Sequence, residues 1–286
     1  MTQNYKEKLS YDLLILSLAQ NCEKYLVNFF KDIKIASNNL NIKIIIGENG
    51  SSDYTFEVIH KSRLDIDFVD TTIVEQYHNR IFRLSKARQM LLEHVRHKNY
   101  HSKYICVIDL DDVLENCFIY ENLKKMITIL EKNKNKYFAV SSQSKPYYYD
   151  ILNFLSEGDF NNSIQELMSS KNFFSFFNRK KKIYDIQKNL SKTTSFECAS
   201  SFNGMCIYFF DELIKFNYFG LDINNKIIPE HINLNLNLSK FTKKKILITN
   251  EAFVNMPNEH RPIFSFTNFM FIKIIKYFSK FIKKFS

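Results

Sequence analysis

The sequence predicts an α/β domain built on a mostly parallel, Rossmann-like central sheet, and three observations predict it. Short apolar runs of strand length alternate with segments of helical spacing along the first 115 residues. The runs are apolar throughout rather than every second residue, as in strands covered on both faces. Three of those runs end in polar clusters, and open α/β sheets gather their ligands outside the carboxyl ends of their strands.

Leu13 to Leu18 is the first strand. Glu23 to Lys34 follows as a helix, with Tyr25, Leu26, Phe29, Phe30 and Ile33 at three- and four-residue spacing. Ile42 to Ile46 is the second strand, and it ends in the loop from Gly47 to Asp53. After a polar helix, Ile66 to Val69 forms a third strand. Phe82 to Arg96 is helical, with Leu84, Ala87, Leu91 and Val95 on one face. Tyr104 to Ile108 is the fourth strand and runs into Asp109-Leu110-Asp111-Asp112. The second half is less regular. Asn122 to Asn133 reads as a helix, and Tyr137 to Ser141 as a strand. Residues 150 to 195 read as a polar, Lys-rich insertion or loop. Asn203 to Phe209 is a strand with a helix near Asp211, and Ile246 to Thr249 is another strand.

Composition excludes several classes. The 286 residues include only 5 Gly and 4 Pro, against an average joint usage of roughly 12%. Collagen-like and linker-like chains are excluded, and the five glycines fit neither a dinucleotide fingerprint nor a P-loop. The five cysteines form no C-x-x-C pair and sit among apolar residues, which points to reduced thiols in a cytoplasmic chain. Leu13 to Ala19 is too short and too polar-flanked for a signal peptide, and no run of 18 apolar residues exists.

The net charge of +10 calls for an anionic partner. Nucleic acid is disfavoured, because an acid cluster at a strand end would repel it. The last 21 residues, 266–286, place Phe271, Ile274, Ile275, Phe278, Ile282 and Phe285 at helical spacing, and Lys273, Lys276, Lys280, Lys283 and Lys284 on the other face. A basic amphipathic helix of this kind suits an anionic membrane surface and a peripheral place at the inner face of a membrane. The expected organisation is a domain over 1–265, with halves 1–115 and 116–265, followed by that helix.

Asp109, Asp111 and Asp112 end a buried strand, and three adjacent acids repel one another unless a cation intervenes. Hard oxygen ligands suit Mg²⁺ or Mn²⁺. Two chemistries share such a motif. In one, the metal offsets charge on a leaving diphosphate. In the other, Asp109 is a nucleophile and Asp111 a general acid, since Asp-Leu-Asp-Asp-Val-Leu also resembles the first motif of haloacid-dehalogenase-type phosphatases. Those enzymes carry it on their first strand and need a later acid pair, which this chain lacks. A nucleotidyltransferase shares the metal logic but usually has a glycine-rich N-terminal loop.

Four segments in order resemble a GT-A glycosyltransferase of the family 2-like kind. They are Leu14 to Asn21, Ile45 to Thr55, Ser85 to Gln89 and Tyr104 to Leu114. The second resembles the family's V-D-D-G-S-x-D-x-T loop, with Glu48 in place of Asp. The third resembles its A-R-N helix start, and the fourth its metal motif. The resemblance implies a GT-A fold and a nucleotide-sugar donor held by Ala19, Gln20, Asn21, Glu48, Asn49, Arg88 and Asp109. It also implies Mn²⁺ or Mg²⁺ on Asp109, Asp111 and Asp112. Arg83 and Arg80 join the donor set only as neighbours of Arg88.

The second half matches more loosely. Asn203 and Gly204 resemble the start of the strand flanking the acceptor pocket. Pro229-Glu230-His231 resembles the E-D or E-H element, which makes Glu230 the candidate base for an inverting transfer. Either His231 or His260 completes the metal site. The implied acceptor is a saccharide, lipid-linked or of lipopolysaccharide type.

Overall fold

A computed structural model describes residues 9–156, 173–221 and 227–261, with residues 173–180 described by backbone alone. The strands are β1 (Leu9–Ala19), β2 (Ile42–Glu48), β3 (Ile66–Asp70), β4 (Tyr100–Asp109), β5 (Tyr137–Lys145), β6 (Phe196–Cys198), β7 (Met205–Phe209) and β8 (Lys245–Asn255). The helices are α1 (Glu23–Ala36), α2 (Thr55–Lys61), α3 (Arg80–His97), α4 (Ile119–Lys132), α5 (Phe173–Lys192), α6 (Phe210–Leu213) and α7 (Glu230–Thr242). Among the described residues, eight strands form one sheet in the order β3-β2-β1-β4-β7-β5-β8-β6. β7 runs antiparallel to β4 and β5, and β6 antiparallel to β8; the rest are parallel.

The apolar runs serve two cores at once, because successive side chains on a strand point to opposite faces. Leu13 and Ile15 join Ile44, Ile46, Cys106 and Ile108 under α1 and α4, through Leu26, Phe29, Ile33, Leu123 and Met126. Leu14 and Leu16 join Ile45, Ile105 and Val107 under α3 and α7, through Leu91, Leu92, Val95, Leu234 and Leu238. Cys22, Cys106, Cys198 and Cys206 are buried, and no disulfide forms among the described residues.

Register places the polar clusters together. Leu18 lies opposite Asp109, and Ala19 opposite Glu48, so β1, β2 and β4 end at one edge of the sheet. β7 starts at that edge, since Met205 pairs with Ile108. The segments after β5 and β8 leave the sheet on the same side.

One segment departs from expectation. Part of the Lys-rich stretch is helix α5, whose Ile183, Ile186 and Leu190 pack on the second core. The amphipathic segment 266–286, with its five lysines, lies outside the described residues. Among the described residues no helix is long and apolar enough to cross a membrane.

Candidate active site

A cavity of about 330 Å³ opens at the edge where the strands end. Its donor-half wall is Leu18, Ala19 and Gln20 after β1, Asn49 after β2, the 3₁₀ turn Thr72–Gln76, and the first turns of α3. Across from it stand Asp109 and Asp111 after β4, Tyr149 to Asn153 after β5, Glu230 at the start of α7, and His260. Apolar groups (Leu18, Ala19, Val74, Leu84) and carboxylates both line it.

The loop after β2 is built by its own acids. Glu48 is buried and accepts from the amides of Gly50 at 2.9 Å and Ser51 at 2.5 Å. Asn21, at φ 53°, accepts from the Ser52 amide at 2.8 Å. Both therefore shape the loop, and neither is among the residues that line the cavity. Gln20 and Asn49 do reach the cavity. Gln20 Nε2 donates to the Asn49 carbonyl at 2.7 Å, and Asn49 donates to Glu75. Arg83 donates to the other Glu75 oxygen at 2.6 Å. Glu75 thus fixes Asn49 and Arg83 side by side.

Arg88 is the hub between the two halves. It is 4% exposed, donates from Nη2 to Asp109 at 2.8 Å and from Nε to Glu230 at 3.2 Å, and lies 4.8 Å over the Phe202 ring. It ties the two carboxylates together and lines the cavity, while its Nη1 has no hydrogen-bond partner among the described residues. Glu230 is buried with it. Burial raises the Glu230 carboxyl above its ordinary range, and Arg88 opposes that rise. The ion pair also leaves Asp109 poorly suited to act as a nucleophile.

Asp111 differs. Its side chain opens into the cavity and accepts only from the Val113 amide, at 3.0 Å, among the described residues. Partial loss of hydration in the cavity, and next the charge of Asp109, push it up to about 7. Asp112 turns away and accepts from the Asn258 amide at 2.8 Å, while its carbonyl accepts from Asn255. It fastens the turn that carries His260.

The two histidines separate clearly. His231 is fully buried, with its ring stacked on Phe202 at 4.0 Å and edge-on to Tyr218 at 5.4 Å. Both its nitrogens lack a hydrogen-bond partner, and burial, aided by Arg88, holds it well below its ordinary pKa. It is a core residue and not a metal ligand. His260 lines the cavity, its ring 5.1 Å from that of Tyr149.

Asn203 and Gly204 lie just before β7. Neither lines the cavity. Asn203, at φ 50°, is fully buried and accepts from the Tyr149 and Asp150 amides, both at 3.3 Å. The Gly204 carbonyl accepts from the Asp109 amide at 3.0 Å. At φ +80°, Gly204 would place a Cβ 2.6 Å from the Tyr149 hydroxyl. Both residues hold the acid turn against the segment after β5. That segment was missed from sequence, and Asp150, Tyr149 and Asn153 with it. The available signal was the rule applied at β1, β2 and β4: look just past the end of a strand, here β5.

Among the described residues no group of three or more His, Cys, Asp or Glu side chains is arranged to hold a metal ion. What the chain offers is smaller. Asp111, a hard oxygen donor with no cation facing it among the described residues, shares the cavity with His260. That set fits a divalent cation that takes its remaining ligands from a diphosphate.

The sheet order, the acids at the end of β4 and the cavity together define a GT-A fold of the nucleotide-sugar transferase type. The chain belongs to glycosyl transferase family 2, whose sequence profile matches residues 15–210. No curated protein matches it. Among solved structures, a mycobacterial protein superposes with a TM-score of 0.51 at 12% identity, covering 88% of this chain and 69% of that one. S. aureus TarS 1–349 gives 0.44 at 14% identity, covering 85% and 60%. Glucosyl-3-phosphoglycerate synthase from Mycobacterium tuberculosis, crystallised with Mn²⁺, UDP and glucosyl-3-phosphoglycerate, gives 0.46 at 13% identity, covering 86% and 70%. The chain thus spans 60% of the length of TarS 1–349.

Proposed function

We propose that this chain transfers a glycosyl group from a nucleotide-diphosphate sugar to a hydroxyl on a saccharide or lipid-linked acceptor. One observation carries the reading: strand register brings Ala19, Gln20, Asn49, Asp109 and Asp111 to one cavity, which apolar groups line together with the acids. That apolar lining suits a nucleotide base, and Gln20, Asn49 and Arg83 supply polar groups in the same cavity. Asp111 and His260 would hold Mn²⁺ or Mg²⁺, which supplies positive charge to a leaving diphosphate. Arg88 keeps Asp109 and Glu230 in fixed positions across the cavity, as catalysis by preorganised charge requires.

Transfer with inversion also needs a cavity carboxylate to take the acceptor's proton. The net charge and the lysines of 273–284 support an acceptor held at an anionic membrane surface. Vesicle co-sedimentation with and without residues 266–286 tests that part. The core reading is tested by calorimetric binding and hydrolysis of a panel of UDP-, GDP-, dTDP- and CMP-sugars with Mn²⁺. UDP-glucose and UDP-N-acetylglucosamine come first, as the donors crystallised with glucosyl-3-phosphoglycerate synthase and TarS. Asp111→Asn is the control. Turnover of one donor that the variant loses supports the reading; no turnover, or an unimpaired variant, overturns it.

A further inference from the structure

Five carboxylates line the cavity: Glu75, Asp109, Asp111, Asp150 and Glu230. Three of them already face an arginine. Glu75 takes Arg83, while Asp109 and Glu230 share Arg88. Asp111 belongs to the acid turn after β4. Asp150 is left, on the segment after β5, and its surroundings are built for it.

The Asp150 side chain is half-buried and faces the cavity. Asn153 Nδ2 donates to both of its oxygens, at 3.0 and 3.1 Å. The Asn203 amide donates to Oδ2 at 3.1 Å. Asn203 returns the contact, its own side-chain oxygen accepting from the Asp150 amide. Every one of these donors is neutral, and among the described residues no cation bonds to Asp150.

We propose that Asp150 is the general base of the reaction, with Glu230 serving as the counter-ion of Arg88. This rests on the glycosyl-transfer reading and names the residue that reading requires. The acceptor hydroxyl gives its proton to an Asp150 oxygen. The freed oxygen lone pair forms the bond to the anomeric carbon. The bond from that carbon to the diphosphate oxygen breaks, and its electron pair leaves on the diphosphate.

The choice between the two carboxylates follows from what protonation costs each. A proton on Glu230 would dissolve its pairing with a guanidinium buried beside it, and breaking a buried pair is strongly unfavourable. A proton on Asp150 breaks no ion pair. Burial, countered by the Asn203 and Asn153 donors and reinforced by the charges of Glu230 and Asp109, raises Asp150 to about 7. A base works best when its pKa lies near the operating pH.

The test uses the full chain, Mn²⁺ and the donor that the sugar-nucleotide panel selects, with water standing in for the acceptor. Asp150→Asn should keep the donor Kd within about twofold and lower kcat for hydrolysis by about 10²- to 10⁴-fold. Asn153→Ala leaves the carboxylate but loosens it, and should lower kcat by roughly 10-fold or more at unchanged Kd. It decides the matter if Asp150→Asn does not fold. A kcat for Asp150→Asn within about threefold of wild type excludes a base there. Loss of donor binding in a folded variant makes Asp150 a donor ligand and equally overturns the proposal. If wild type neither binds nor hydrolyses any donor in the panel, the glycosyl-transfer reading itself falls.

Discussion

Arg88→Met removes one charge from the centre of the site and leaves most of the side-chain volume. Two carboxylates then lose their cation. Glu230 has a side chain 5% exposed, so water cannot replace the guanidinium there, whereas Asp109 at 27% is partly rehydrated from the cavity. Most of the penalty therefore falls on Glu230. Stripping one partner from a buried pair costs about 3–5 kcal/mol, or roughly 6–20 °C in Tm for a domain approaching this size. The penalty has a sign in pH. A carboxyl left without its cation in a buried place has its folded pKa raised above the unfolded value, so the folded state holds the extra proton. Stability of the variant must then fall as pH rises through that folded pKa. Each pH unit over which one such proton is retained changes the deficit by about 1.4 kcal/mol. Urea titrations of wild type and variant at pH 5, 6.5 and 8 measure it directly. The deficit should be largest at pH 8 and smaller by at least that amount at pH 5. A deficit independent of pH, or one below about 1 kcal/mol at pH 8, would refute Arg88 as the charge that holds the site.

Other consequences are as direct. Gly204→Ala combines a left-handed φ with a Cβ 2.6 Å from Tyr149 and 2.7 Å from Val113, and should cost about 2–4 kcal/mol in a denaturant titration. His231→Phe removes two unpartnered buried nitrogens and should leave Mn²⁺ affinity within about twofold, with stability unchanged or higher. His260→Ala should weaken Mn²⁺-dependent UDP binding by about tenfold, and calorimetry separates the two. At the far end of the sheet, burial opposes ionisation of Asp67, yet bonds from His94, Lys43 and Tyr100 bring it down from 3.8 to about 2. A depressed carboxylate stabilises above its unfolded pKa, so about 2 kcal/mol should be present above about pH 4 and vanish as pH falls through about 2. The stability gap between wild type and Asp67→Asn, followed by urea titration, should close over that window.

The strands were legible because their apolar runs are covered on both faces, which leaves a continuous signal. What failed has physical causes. β6 is only three residues, too short to show any period. α5 reads as polar from its lysines, yet Ile183, Ile186 and Leu190 stand at helical spacing and reach the core. α7 misleads most. Ile232, Leu234, Leu236 and Leu238 alternate with asparagines at the period of a strand. In the helix Asn235 is an interior residue. It accepts from the Tyr208 hydroxyl and donates to Ser200 and Ser201, so the pattern is not apolar-in and polar-out at all.

The site shows the same division between what spacing carries and what it cannot. Strand ends announced where acids would gather, but not what each acid would face. Arg88 lies 21 residues from Asp109 and 142 from Glu230, and that distant pairing is what turns Glu230 from a free base into a counter-ion. Asp150 gains its role from the reverse circumstance, since only amides and Asn153 approach it. His231 could have been excluded earlier. Adjacent positions on a helix point about 100° apart, so a helix that starts after Pro229 and turns Glu230 to the cavity must turn His231 elsewhere. Elsewhere is the ring of Phe202, whose other face carries Arg88. The histidine therefore contributes by packing the hub from behind, while His260 lines the cavity.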